Sequence, residues 1–389
     1  MNIENIAVAE TENKEIKKTR KNLPPLMVLG IAALVLILIV AISLAIAEHA
    51  DSSGQKRTHG VYSVNADDVL DIAPFSSGLA VLTSRSVDYV DAFGNLMSAN
   101  EQTYTNPVIK TAGKNMILYD RGGSAMRIEK NASEYQTFEF DASVSCADIT
   151  AKGTYAYALN ADSGYQSHVF AYSYKGVKLY EWSSSEYVMR TVLSPGGNYL
   201  AVSTISVLNA QSVSKVYLFQ FTKGTHEYVV EFTGETVFDI GFISARKVVV
   251  LTDRGAYQLS PKGEKEVLCE FSANELNHTD LYMNGMGIAA INLYGNTNST
   301  KVYLFSKGYK NVFEQEYQNA ISMVTADDSY CAIVFDKEIR ILNTKNVQTG
   351  LIKLDEVCLD TVISGGKLYV LTAGGMDQYG LHETDGENE

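Results

Sequence analysis

The chain has 389 residues and a formal net charge of −13, with 46% hydrophobic and 20% charged residues. So acidic a chain argues against nucleic acid as a partner. Its four cysteines, Cys146, Cys269, Cys331 and Cys358, show no CxxC spacing and no neighbouring histidine. This pattern favours buried free thiols over a zinc site. An even number of cysteines leaves a disulfide open, and Cys331 with Cys358 is the first pair to consider.

The N-terminal part of the chain has the pattern of a membrane anchor. Five basic residues precede an apolar segment: Lys14, Lys17, Lys18, Arg20 and Lys21. The run from Leu26 to Ala47 carries no charge and is long enough for one transmembrane helix, predicted over residues 25–47. By the positive-inside rule, the basic tail of residues 1–24 is cytoplasmic and the rest is extracytoplasmic. The segment Ala45-Ile46-Ala47 leaves a cleaved signal peptide as an alternative.

After a predicted stalk of residues 48–60, the chain repeats itself at steps of 37 to 49 residues. The repeated unit is a short apolar run, which suits a strand buried on both faces. Eight such runs begin at Gly78, Asn115, Thr154, Asn198, Lys247, Gly287, Tyr330 and Lys367. Four strands per unit at this spacing are typical of a propeller. The sequence therefore predicts an all-β, eight-bladed β-propeller over residues 61–381, with seven blades as the alternative, and an acidic, disordered tail at 382–389.

The two ends of the repeat region predict how the ring closes. The eighth unit has three strands and then ends near Leu381, whereas Val61–Val64 precedes the first unit. A propeller that does not close leaves exposed sheet edges. We therefore expect Val61–Val64 to supply the missing outer strand of the last blade.

Two sets of basic turn residues are candidate binding residues. The turn after the buried strand carries a basic residue in four units: Arg85, Arg121, Arg254 and Lys337. These are ligand-face candidates for an anionic ligand, although ordinary hairpin turns with an adjacent Asp or Ser are the simpler explanation. A second set falls between the third and fourth strands: Lys130, Lys175, Lys223, Lys262, Lys307 and Lys345. These are membrane-face candidates for anionic headgroups, with solubility as the simpler explanation.

Two segments resemble known propeller repeats. Val169–Trp182, with its turn Gly176 before a strand that ends in Trp, resembles the repeat of quinoprotein-like propellers. The segment Ser194–Val202 is similar to the "SPDG-x-YLAV" segment of WD-repeat and related bacterial propellers. As a whole, residues 25–381 resemble a bacterial family of single-pass, membrane-anchored propellers of unknown function. The resemblance implies this fold and topology, and it implies no cofactor and no active-site residue.

The sequence contains no motif for catalysis or metal binding. The six histidines make no ligand spacing, and there is no GxSxG elbow and no phosphate loop. We therefore expect no catalytic residue, no metal and no cofactor. The function predicted is a non-enzymatic binding, scaffold or sensing module at the cell envelope, with a protein or envelope polymer as partner. The alternative is an envelope enzyme, a glycan-active hydrolase or lyase, whose central channel is lined by carboxylates and aromatic residues.

Overall fold

The computed structural model describes residues 57–161, 163–282 and 285–381, which form eight four-stranded antiparallel sheets. Within these ranges the helical elements are three 3-10 turns, at Ala66–Asp68, Leu293–Gly295 and Lys307–Tyr309. The predicted all-β, eight-bladed propeller is confirmed, and the seven-bladed alternative is wrong. None of the described residues forms a helix long and apolar enough to span a bilayer. The predicted span at 25–47, the basic tail and the acidic tail lie outside the described residues.

The first strand of the chain, β1 (Arg57–Tyr62), belongs to the last blade, and blades 1 to 4 follow it in chain order. Blade 1 contains β2 (Val69–Phe75), β3 (Gly78–Thr83), β4 (Ser86–Val90) and β5 (Leu96–Glu101). Blade 2 contains β6 (Pro107–Ala112), β7 (Asn115–Asp120), β8 (Ala125–Lys130) and β9 (Ser133–Glu139). Blade 3 contains β10 (Val144–Ile149), β11 (Tyr155–Asn160), β12 (Ser167–Tyr172) and β13 (Lys178–Ser184). Blade 4 contains β14 (Tyr187–Leu193), β15 (Tyr199–Leu208), β16 (Gln211–Gln220) and β17 (His226–Thr233).

Blades 5 to 7 repeat the same order, and blade 8 is completed by β1. Blade 5 contains β18 (Val237–Phe242), β19 (Val248–Thr252), β20 (Gly255–Leu259) and β21 (Lys265–Glu270). Blade 6 contains β22 (Leu276–Leu281), β23 (Gly287–Asn292), β24 (Thr300–Phe305) and β25 (Val312–Tyr317). Blade 7 contains β26 (Met323–Ala326), β27 (Tyr330–Val334), β28 (Glu338–Asn343) and β29 (Gln348–Lys353). Blade 8 contains β30 (Asp360–Ser364), β31 (Lys367–Thr372), β32 (Gly375–Gly380) and β1.

The second strand of each blade is the repeated apolar run, and it is buried because blades pack on both of its sides. In β3, for example, the residues from Leu79 to Leu82 are at most 1% exposed. The fourth strand alternates between exposed and partly buried residues, as in β5 and β9, because one of its faces meets solvent. Neighbouring blades share apolar clusters, such as the one in which Phe232 of blade 4 packs with Val250 and Tyr257 of blade 5. The core is therefore a ring of interfaces between sheets.

The first strands of the blades form the inner wall of the ring, where they contact their neighbours. Two aspartates on these strands hold the next blade. The Asp148 Oδ2 atom on β10 accepts a hydrogen bond of 2.7 Å from the backbone N–H of Leu193 on β14. The Asp280 Oδ2 atom on β22 likewise accepts one of 2.8 Å from Ala326 N on β26. These carboxylates accept hydrogen bonds from buried backbone N–H groups that have no partner within their own sheet.

The ring is closed by pairing of β1 with β32, so closure by an N-terminal strand is confirmed. The strand begins at Arg57, four residues before the predicted start, so the last part of the predicted stalk belongs to the propeller. The Tyr62 hydroxyl donates to the Asp88 carboxylate of blade 1. At the same seam, Ser364 Oγ donates to Gly78 O at 2.7 Å. The closing strand is thus bonded to the first blade as well as to the last.

All four cysteines are buried and unpaired, as the sequence favoured, and the disulfide left open for Cys331 with Cys358 is not formed. Burial raises the pKa of the Cys269 and Cys358 thiols to about 12, because an apolar site disfavours the thiolate. These cysteines act as small core side chains.

Candidate binding faces

Each blade contributes its loops to two opposite edges of the ring. Loops between first and second strands and between third and fourth strands lie at one edge, since the strands are antiparallel. Hydrogen bonds join such loops of adjacent blades, as from Ser76 N to Gly113 O at 2.7 Å and from Met286 N to Asp327 O at 3.0 Å. We call this edge the lysine-turn face. The opposite face consists of the loops between second and third strands and the links between blades.

The structure places the two predicted sets of basic residues on opposite faces, and all of them are exposed. The membrane-face candidates lie on the lysine-turn face, with Lys130 as the last residue of β8. The ligand-face candidates lie on the opposite face: Arg85, Arg121, Arg254 and Lys337. Lys337 donates to the backbone oxygen of Asp355 at 3.3 Å. The binding roles of both sets stay predictions.

The described loops of the two faces differ in the sign of their charge. Those of the lysine-turn face hold ten basic and four acidic residues, and those of the opposite face hold four basic and ten acidic residues. On the lysine-turn face these residues are Lys114, Lys152, Lys175, Lys223, Arg246, Lys247, Lys262, Lys307, Lys310 and Lys345, against Asp91, Glu264, Asp327 and Asp328. The acidic residues of the opposite face are Asp67, Asp68, Asp141, Glu186, Glu235, Asp253, Glu275, Asp336, Asp355 and Glu356. The four predicted ligand-face cations therefore stand among a larger number of carboxylates.

The closing strand β1 begins at the lysine-turn face. Arg57 of β1 pairs with Tyr379, near the end of β32, and Tyr62 pairs with Met376, near its start. The third strand of a blade ends at the lysine-turn face, so the backbone of Arg57 lies at that face and that of Tyr62 towards the opposite one. This leaves nine residues, 48–56, between the predicted span and β1.

A set of aspartates that the sequence analysis missed lies on the inner strands: Asp71, Asp148, Asp239, Asp280 and Asp360. Burial raises the pKa of Asp148, Asp280 and Asp360 to about 6, because a partly dehydrated site disfavours the charged form. Arg190 lies 3.7 Å from Asp239. The described residues include no group of three or more acidic, histidine or cysteine side chains arranged to hold a metal ion. The sequence does contain a signal for this set, because five of the eight repeat units have an Asp in their first strand.

A groove opens on the lysine-turn face between blades 2 and 3, with a volume of about 410 Å³. Its charged lining residues are Lys114, Lys130 and Lys152, and its aromatic ones are Tyr135, Tyr155 and Tyr174. A second cavity of about 340 Å³ lies beside it, towards blade 1, and shares Lys114 and Asn131. Of these residues, only Lys130 was predicted as a binding candidate, because the groove combines turns of different blades.

One hairpin projects from the opposite face. The strands β15 and β16 have ten residues each and pair as far as Leu208 and Gln211. The neighbouring strand β14 pairs with β15 only as far as Ile205. The tip residues Val207 and Leu208 are 76% and 62% exposed. The end of this hairpin is therefore an apolar projection within an acidic face.

Comparison with solved structures gives propellers at low identity. A eukaryotic initiation factor has 13% identity and a TM-score of 0.51, covering 78% of this chain and 83% of that one. The dihydro-heme d1 dehydrogenase NirN has 9% identity and a TM-score of 0.52, covering 80% and 69%. BamB from Moraxella catarrhalis has 13% identity and a TM-score of 0.49, covering 83% and 96%. At such identities the likeness concerns the fold alone.

Comparison with curated proteins gives no match. Among families, the one described as "Family of unknown function (DUF5711)" matches residues 55–381, which include every described strand. The chain therefore belongs to the DUF5711 family.

Proposed function

We propose that this protein is a membrane-anchored, extracytoplasmic binding module that scaffolds a partner protein at the cell envelope. The observation that carries the proposal is the opposite charge of its two faces. In this arrangement the lysine-turn face is directed at the bilayer, and the opposite face is directed at the partner. Charge of this kind orients a protein and raises its association rate more than it adds affinity.

The position of β1 supports the orientation towards the bilayer. Residues 48–56 span at most about 30 Å when fully extended, so a propeller anchored at residues 25–47 stays close to the membrane. The lysine-turn face also carries exposed apolar side chains, including Phe93, which is 80% exposed, and Tyr174, which is 50% exposed. Lysines beside aromatic side chains are the composition of an interfacial surface. Each lysine near an anionic surface contributes about 1 kcal/mol.

The opposite face supports the proposed partner. Its excess of carboxylates fits a protein with a basic surface, and the tip of the β15–β16 hairpin offers Val207 and Leu208 as an apolar contact. Hot spots of protein interfaces are commonly apolar anchors surrounded by polar residues. Since both side chains are largely exposed, their replacement by Ser should leave the stability of the propeller unchanged and weaken the docking of the partner.

The orientation is tested by flotation of the domain of residues 48–389 with vesicles that contain phosphatidylglycerol. The test variant changes Lys175, Lys223, Lys262 and Lys307 to Glu, and the matched control changes Arg85, Arg121, Arg254 and Lys337 to Glu. We expect the unaltered domain and the control to float at low salt, and the test variant to remain unbound. Binding should fade as salt is added, because exposed charges are screened. Equal flotation of the test variant and the control would refute the proposed orientation. Failure of the unaltered domain to float at any salt concentration would also refute it.

An envelope enzyme is the second candidate, and the inner aspartates favour it, because carboxyl groups with a raised pKa are suited to general acid catalysis. However, Asp148 and Asp280 accept hydrogen bonds from the backbone of the next blade, which gives both residues a structural role that requires no reaction. Release of reducing ends from an envelope polysaccharide, abolished by Asp239→Asn, would favour the enzyme over the binding module.

A further inference from the structure

The groove between blades 2 and 3 contains three lysines and no carboxylate among its lining residues. Two other lysines of the lysine-turn face are paired with carboxylates. Lys223 lies 2.7 Å from Glu227, and Lys307 lies 3.2 Å from Asp328. By contrast, Lys114, Lys130 and Lys152 make no ion pair with any residue that the structure describes. The groove is therefore a local concentration of positive charge without a partner from the described chain.

Its walls are aromatic, and one of them is held in place. The Tyr135 hydroxyl donates to the backbone oxygen of Tyr174 at 3.1 Å, which links the outer strand of blade 2 to a turn of blade 3. Both rings are about half exposed, at 53% and 50%. Flat, partly apolar rings at the edge of a polar groove are suited to contact with the C–H face of a sugar ring.

Small residues keep the groove open. Gly113 and Ala151 line it, and a Cβ on Gly113 would lie 3.4 Å from that of Ala151. Gly153 has a φ of +81°, and a Cβ there would lie 3.0 Å from the Cβ of Tyr174. A larger residue at Gly153 would therefore disturb the tyrosine wall as well as strain the backbone.

We propose that this groove binds a negatively charged sugar unit of an acidic polysaccharide. The lysines would pair with its carboxylate or phosphate groups, and Tyr135 and Tyr174 would contact its rings. The volume of about 410 Å³ lies within the usual range of small-ligand pockets. The adjoining cavity of about 340 Å³ shares Lys114 and Asn131, so two neighbouring units of a polymer have consecutive places. This extended shape favours a polymer over a single lipid headgroup.

The test uses the full chain in an uncharged detergent and isothermal titration with four probes. These are a trimer of galacturonic acid, a neutral trimer of galactose, inorganic phosphate, and phosphatidylglycerol in mixed micelles with the same detergent. We expect the acidic trimer to bind, and the neutral trimer to bind at least about tenfold more weakly, since only the acidic trimer can form charge-assisted hydrogen bonds with the lysines. Binding of the neutral trimer with equal affinity, or binding of phosphate or phosphatidylglycerol without binding of the acidic trimer, would overturn the proposal.

The variants separate the groove from the general charge of the face. Lys114→Gln with Lys152→Gln should weaken binding of the acidic trimer about tenfold or more. The matched control, Lys262→Gln with Lys345→Gln, removes the same charge from two exposed turns of the same face and should weaken it less than twofold. Equal losses in the two variants would overturn the proposed site. Unchanged melting temperatures show that each variant folds. The site goes beyond the proposed function, and its failure would leave the flotation result as it stands.

Discussion

Removal of β1 should destabilise the propeller far more than removal of the residues before it. We compare a chain that lacks residues 1–56 with one that lacks residues 1–66. Only the second deletion removes β1 and leaves β32 with an unpaired edge. It also removes Tyr62, which is 8% exposed and packs in an apolar cluster with Leu79, Val81 and Tyr369.

The size of the effect follows from these contacts. Burial of a tyrosine contributes about 4–6 kcal/mol, from about 150–250 Å² at about 25 cal/mol per Å². The hydrogen bond from Tyr62 to the Asp88 carboxylate adds about 1.5–3 kcal/mol. With an unfolding entropy of about 2.1 cal/mol/K per residue over about 320 residues, each kcal/mol shifts the melting temperature by about 1.5 °C. The longer deletion should therefore lower the melting temperature by about 8–13 °C.

Differential scanning calorimetry of both truncations measures this shift. Tyr62→Phe isolates the hydrogen bond and should cost about 2–4 °C, whereas Tyr294→Phe, at a position that is 93% exposed, serves as the control and should cost nothing. Equal melting temperatures for the two truncations would show that β1 does not hold the ring closed, and the reasoning from its contacts would then be wrong.

Three further predictions concern charges inside the propeller and the projecting hairpin. Folding raises the pKa of Asp148, Asp280 and Asp360 from 3.8 to about 6, so the native state binds more protons than the unfolded state between these two pH values. The contribution of these residues to stability therefore falls as pH rises from about 4 to 6 and stays low above pH 6. Urea unfolding between pH 4.5 and 7.5 should show a smaller decline in the triple Asp→Asn variant, and an unchanged decline would contradict this. The fully buried Glu129 carboxylate lies 2.6 Å from Arg127 Nε and 2.7 Å from the Tyr89 hydroxyl. Glu129→Ala should therefore lower the free energy of unfolding in the same assay by about 3–5 kcal/mol, because it leaves the arginine buried without its partner. A loss under about 1 kcal/mol would contradict the pairing. Val207→Ser with Leu208→Ser should leave the free energy of unfolding within about 0.5 kcal/mol, and a larger loss would show that the hairpin tip is packed.

The buried second strands were predictable because burial on both faces leaves a continuous apolar run that needs no long-range information. Five of the eight runs begin at the first residue of a strand, and the other three, at Thr154, Asn198 and Lys247, begin one residue before it. The closing strand was recognised by its place in the chain, but its start was placed four residues late, since Arg57 to Gly60 lacks an apolar pattern. The extension of β15 was missed because Ser206 and Leu208 do not face a core.

The binding faces were only partly predictable. Turn lysines such as Lys175 and Lys262 were recognised from their position between the third and fourth strands. The excess of acidic residues on the opposite face was not recognised. Loops of the two faces alternate along the chain, so a stretch of sequence that spans several loops mixes the acidic residues of one face with the basic residues of the other. The groove was not predictable from the sequence for the same reason, since Lys114, Lys130 and Lys152 come from three separate turns.

The pairing of β1 with β32 also has a consequence for synthesis. About 320 residues separate the two strands in the chain, and at roughly 5–20 residues per second the ribosome needs about 16–64 s to produce them. During that time β1 exists without its partner, while the earlier blades already emerge and acquire their interfaces. The propeller can become a ring only after translation has passed Gly380. Until then it is an open arc whose first and last blades each expose an apolar sheet face, and such transiently exposed apolar surface promotes aggregation and chaperone binding.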